Sequence, residues 1–219
     1  MECFIIVLVL WVFSVCIHEF GHAIVAYWGG DHTVKEKGYL TLNPIHYTDP
    51  FFSLILPVLF MVTGGIGLPG GAVYIERDLL RSKWWDTAVS LAGPAMNYIM
   101  VVVIALCFKT GLVPSSPNHL ASISLAFLMQ LEISAILFNL IPIPPLDGFQ
   151  AIAPWMPHGP RARFYEFSRY SVFLLYLVFS QVAIVNYLFF SIVFLVSDLM
   201  GVPSHLGWEG YQAFQFWKH

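Results

Sequence analysis

The stretch Phe4-Ile5-Ile6-Val7-Leu8-Val9-Leu10-Trp11-Val12-Phe13-Ser14-Val15-Cys16-Ile17-His18-Glu19-Phe20-Gly21-His22 decides how the chain is read. The apolar run continues to Trp28, and about 20 such residues suffice for a helix to cross a bilayer. Three ionisable side chains sit near its far end. Such groups are costly in hydrocarbon and mark function by default. On a helix, His18 and His22 stand four residues apart on one face, spaced to grip one zinc ion, with Glu19 beside the metal as a general base. The first reading to test is a zinc hydrolase that works within the membrane.

Composition agrees with a membrane setting. Of 219 residues, 58% are hydrophobic and 11% charged, against roughly a quarter charged in soluble domains. The mean hydropathy is +0.73. A net charge of −3 without a basic cluster gives no footing for nucleic acid. Cys3, Cys16 and Cys107 border or lie inside apolar runs and read as small hydrophobes, not as disulfides or thiolate ligands. No repeat is visible, and no polar stretch is long enough to bury a core of its own. One membrane-embedded domain over 1–219 is expected. The start Met1-Glu2 lacks a basic region and no small-x-small site follows, so 4–28 reads as a retained helix and not a cleaved signal.

Four segments are long and apolar enough to span: about 4–28, 86–108, 121–142 and 171–199. A fifth, 51–68, contains Pro57 and dissolves into a glycine-rich stretch from Gly64 to Gly71, so it reads as a weak span or a re-entrant segment. If it does not cross, Lys35, Lys37, Arg77, Arg81, Lys83, Arg161, Arg163 and Arg169 share one side and only Lys109 and Lys218 the other, eight against two. If it crosses, the split weakens to six against four. The positive-inside bias therefore favours four spans, with both termini outside.

Asn139-Leu140-Ile141-Pro142-Ile143-Pro144-Pro145-Leu146-Asp147-Gly148 closes the third span. Its prolines cannot continue a helix. Asp147 reads either as a solvated acid in a helix-ending loop or as the third zinc ligand, because catalytic zinc usually has three protein ligands and one open position. Depth bears on this choice. His18 to His22 lie roughly 21–27 Å along the first helix from Phe4, toward its inner end. Asp147 can reach them only if the first and third spans run the same way, which four spans provide and five do not.

These residues resemble the site-2 protease family of intramembrane zinc metalloproteases. The resemblance takes in His18-Glu19-Phe20-Gly21-His22, Leu40-Thr41-Leu42-Asn43-Pro44 with His46 and Asp49-Pro50, Leu91-Ala92-Gly93-Pro94-Ala95-Met96-Asn97, and Asn139 through Gly148. It implies an all-α polytopic membrane protein with a three-helix catalytic core (4–28, 86–108, 121–142), an additional span, and a re-entrant or short-strand segment around 51–76. It implies His18, His22 and Asp147 as ligands of one zinc ion per chain, Glu19 as the catalytic base, and Asn139 as a catalytic residue that positions substrate or stabilises the oxyanion. The chain has room for neither the PDZ nor the CBS domain that some members carry. The expected partners are a membrane protein substrate with a transmembrane helix, the lipid bilayer, and a separate substrate-presenting or regulatory subunit. The expected location is the plasma membrane, with the active site toward the cytoplasm.

A transmembrane substrate hides its carbonyls in its own helix and must unwind locally, and residues 71–76 could offer a strand edge to hold it. Other polar residues have plainer readings. Asn97 reads as a helix–helix hydrogen-bonding residue, and Gly93 as a point of close helix approach. His32, His119, His158 and His205 read as solvated loop residues, and His46 carries only its place in a matched motif. Glu132 lies mid-span, where either a polar partner inside the bundle or a neutral, protonated carboxyl would account for it. The aromatic tail from Trp208 to Trp217 reads as interfacial, with docking or gating as its alternative. Two rival functions stand beside this reading. A metal-binding transporter would want polar residues on several spans or an inverted repeat. A silent membrane scaffold would have no use for Glu19.

Overall fold

The computed structural model describes residues 1–43 and 73–218. Among the described residues every regular element is helical. The long apolar run forms α1, Glu2–Gly29, which stops where Gly30 turns left-handed (φ 119°) and its N–H closes on the Ala26 and Tyr27 carbonyls. A single turn, α2 (Thr33–Glu36), follows. After the irregular stretch 73–76 and a 3-10 turn at Arg77–Leu79 come α3 (Lys83–Lys109), α4 (Leu120–Asn139) and the short α5 (Asp147–Ile152). The chain finishes with α6 (His158–Gln181), α7 (Ala183–Leu199) and α8 (Ser204–Phe214).

Helices α1, α3 and α4 are each long and apolar enough to cross a membrane and correspond to the three core spans read from the sequence. The chain is an all-α multi-pass membrane protein. In α4, 67% of the apolar window is buried, against 39% in α1 and in α3, so α4 is the middle of the bundle. It packs on α1, α3, α7 and α8, and α1 lies along α3. The third span ends at Asn139 and not at 142, because the prolines that follow cannot extend it.

The expected span at 171–199 is not one straight helix. It is two helical pieces, Phe173–Gln181 and Ala183–Leu199, bent by 89° at Val182. Ser180, Gln181 and Asn186 make this break tolerable in an apolar setting. Ser180 donates to the Leu177 carbonyl, Gln181 donates to Ser180, and Asn186 donates to the Phe179 carbonyl that the break exposes.

The ends of α1 and α3 meet. The Arg81 N–H donates to the Gly29 carbonyl at 2.9 Å, so the chain comes back from α1 to α3 at the same end of the bundle. The segment 51–68, the glycine-rich run, His46 and Asp49-Pro50 lie outside the described residues. Of the expected short strand, only Val73–Glu76 is described, and it carries no strand. The aromatic tail docks on the bundle: α8 packs on α4, Phe214 is fully buried, and the Phe4 ring meets Phe214, Phe216 and Trp217 at 5.0–6.0 Å between centroids.

Candidate metal centre and active site

His18, Glu19 and His22 are buried on the face of α1 that meets α3 and α4. The His22 Nδ1–H donates to the Val89 carbonyl at 2.7 Å. A carbonyl can only accept, which fixes the tautomer and leaves Nε2 with its lone pair free. His18 is held the same way, Nδ1 to Asn97 Oδ1 at 2.8 Å. The two free Nε2 atoms converge to 3.1 Å. Asn97 thus makes the helix–helix bond its sequence suggested, and its partner is a candidate ligand.

Asp147 completes the group. The chain folds back after α4 through Leu140–Leu146 and delivers Asp147 as the first residue of α5. Helix α5 is pinned to the start of α3, where the Thr87 hydroxyl donates to the Ala151 carbonyl (2.7 Å) and the Trp155 indole donates to the Thr87 oxygen (2.9 Å). One Asp147 oxygen lies 3.4 Å from His18 Nε2 and the other 3.5 Å from His22 Nε2.

These residues fit zinc. Two nitrogens and a carboxylate oxygen lie within 4.8 Å of one another. Ligands at about 2.0–2.1 Å from a tetrahedral ion stand roughly 3.3–3.4 Å apart, close to the 3.1, 3.4 and 3.5 Å found. Asp147 Oδ2 is buried without a hydrogen bond. The floor of the site is Gly93, where a Cβ would fall 2.3 Å from His22 Nε2 and 2.5 Å from His18 Nε2. Only a bare backbone lets α3 come this close. Gly21 does the reciprocal service on α1, where a Cβ would meet Met96 and the Ala92 carbonyl.

Glu19 points its Oε2 at the backbone N–H of Val73, 3.1 Å away. Beside it is a cavity of about 10 Å³ lined by Trp11, Ser14, His18, Glu19, Asn97 and Ala135 among others, about the room one water needs. Asn139, the last residue of α4, is buried with its amide Nδ2 unpaired. His32, His119, His158 and His205 are all exposed. The Val89 carbonyl and the Val73 N–H were beyond sequence reasoning, because backbone groups carry no residue signature.

Residues 4–179 match the model of Peptidase family M50. Two relatives named "Putative zinc metalloprotease Rip2", from Mycolicibacterium smegmatis and Mycobacterium tuberculosis, are 41% and 40% identical over 216 residues, 98% of this chain and 82% of theirs. "Putative zinc metalloprotease YwhC" from Bacillus subtilis is 34% identical over 175 residues, 75% of each chain. No solved structure matches the chain.

Proposed function

We propose, from the premise that this chain belongs to peptidase family M50, the site-2 protease family, that it cuts peptide bonds within or near the transmembrane segments of other membrane proteins. It is a multi-pass membrane zinc metalloprotease, and the transporter and scaffold readings fall away with that. The observation that carries the proposal is the convergence of His18, His22 and Asp147, with Glu19 beside them, at the junction of three apolar helices.

In this reading His18, His22 and Asp147 hold the zinc ion. Zinc, when bound in such a site, supplies a Lewis acid that polarises a carbonyl and lowers the pKa of water. Glu19 takes the proton of the attacking water and hands it to the departing amine. Asn97 and the Val89 carbonyl keep both imidazoles in the ligating tautomer. The unpaired Asn139 amide donates to the oxygen of the scissile carbonyl as charge develops there. The substrate is a transmembrane helix that unwinds locally at helix-weakening residues, and a separate subunit presents it. The bias of basic residues toward the end where α1 meets α3 supports a plasma-membrane protein whose active site faces the cytoplasm.

The test is cleavage of a panel of single-pass membrane proteins in detergent by wild type and Glu19→Gln, with zinc quantified in both. Cleavage by wild type alone, with zinc equal in the two, is the expected result. A Glu19→Gln protein that still cuts would remove Glu19 from the role of base.

A further inference from the structure

We propose that Asp31 is a positioning residue for Glu19, acting through the backbone of Val73–Glu76, a strap that bonds the Glu19 carboxylate at one end and Asp31 at the other. This use of Asp31 rests on Glu19 being the base.

Asp31 is fully buried, although it lies just beyond the end of α1. Its Oδ1 closes a local turn, accepting from the Thr33 N–H (3.0 Å) and the Thr33 hydroxyl (2.6 Å). A local turn needs no more than that one oxygen. The other oxygen, Oδ2, reaches a residue 45 positions away and accepts the Glu76 N–H at 2.8 Å. A buried carboxylate that spends half its capacity on a distant backbone group is fixing that backbone.

The strap itself has strand-like alternation. Val73 and Ile75 pack inward on the cluster of Cys16, Ala23, Ala26, Val34, Tyr39 and Val89, while Tyr74 is 64% exposed. Lys37 holds it from outside, donating to the Tyr74 carbonyl (3.2 Å) and to the Glu76 carboxylate (2.9 Å). At its other end the Val73 N–H donates to Glu19 Oε2. Three extended residues span only about 10 Å, so the two anchored N–H groups are rigidly coupled. A slip of one residue at Glu76 would turn the opposite edge toward Glu19. With Oε2 held, Oε1 is left to handle protons in one fixed direction, and a misplacement of about 1 Å in such a group costs on the order of 100-fold in rate. Beyond the strap, Arg77 is tied separately to Asp86 and Ser90, so the fold does not depend on Asp31 alone.

The experiment compares wild type with Asp31→Ala, Asp31→Asn, Lys37→Met and Thr33→Val, all zinc-loaded in detergent. Backbone hydrogen exchange over 73–76 is read alongside cleavage of a quenched fluorescent single-pass peptide. Asp31→Ala should speed exchange of these amides roughly tenfold, leave zinc content unchanged, and lower kcat about tenfold or more with KM little altered. Asp31→Asn, which keeps one acceptor oxygen, should recover part of both. Lys37→Met, at a half-buried surface position, should move exchange and kcat in the same direction by less. Thr33→Val, which cuts only the hydroxyl bond, should leave exchange over 73–76 unchanged. Exchange over 73–76 that stays at the wild-type rate in Asp31→Ala would overturn the proposal. So would faster exchange with kcat intact. Exchange reads the strap without any catalysis, while Glu19→Gln reads the base, so the two ideas fail separately.

Discussion

The site depends on which nitrogen of each imidazole is free. Asn97 and the Val89 carbonyl make that choice by engaging Nδ1, so that both Nε2 atoms face Asp147. Asn97→Ala should therefore weaken zinc binding about 10–100-fold, read by titration against a competing chelator, while the helices stay intact by circular dichroism. The sequence showed His18 and His22 plainly because their spacing is set by one helix. It showed Asn97 only as a polar residue in a span, because the partner comes from another helix. Glu132 is the opposite case. It is fully buried beside Ser14, and neither of its carboxyl oxygens has a partner at full hydrogen-bonding geometry. The expected polar partner is there, yet it does not satisfy the group. A carboxyl left so in a bundle core costs free energy. Glu132→Met should raise stability by about 1–3 kcal/mol, seen as a higher unfolding midpoint in detergent. A lower midpoint would show that the carboxyl has a partner after all.

Helices α1 and α3 make the site by how closely they approach. The backbone of Gly93 lies directly under the two imidazoles, and a methyl group there would overlap both. Gly93→Ala must push α3 away or turn the rings, and overpacking of this kind costs about 1–3 kcal/mol, or about 10–100-fold in zinc affinity. Gly159→Ala, which meets open space at the start of α6, is the matched control and should change nothing. Equal zinc affinity in both variants would mean that the imidazoles are not held as described. At this scale the sequence was legible where a signal is local. The apolar runs gave α1, α3 and α4, and the prolines marked the end of α4. The 89° break at Val182 was not legible, because 171–199 has the same apolar composition whether straight or bent. What allows the bend is side-chain bonding around Ser180, Gln181 and Asn186, visible only once the pieces are folded together.

For the whole molecule, the meeting of the α1 and α3 ends sets which loops share a side. Single cysteines introduced at Arg81 and Arg161 should react with a membrane-impermeant maleimide from one side of sealed vesicles, and one at Asn118 from the other. Reaction of Arg81→Cys and Asn118→Cys from the same side would overturn this topology. Zinc held as proposed would join α1 to α5, elements far apart in sequence, so a chelator should lower the thermal midpoint of wild type by removing a ligand of the native state alone. It should lower that of Asp147→Asn much less. The sequence by itself determined that the chain lives in a membrane, where the core helices run, and that His18 and His22 pair as candidate ligands, because apolar length and the i, i+4 spacing are properties of single segments. Only the tertiary structure decided that Asp147 is near enough to join the two histidines, that Gly93 is the floor beneath them, and that Asp31 reaches Glu76. Those facts are distances between segments of chain that a helix period cannot relate. They are set by how the helices pack and by where backbone hydrogen bonds find partners.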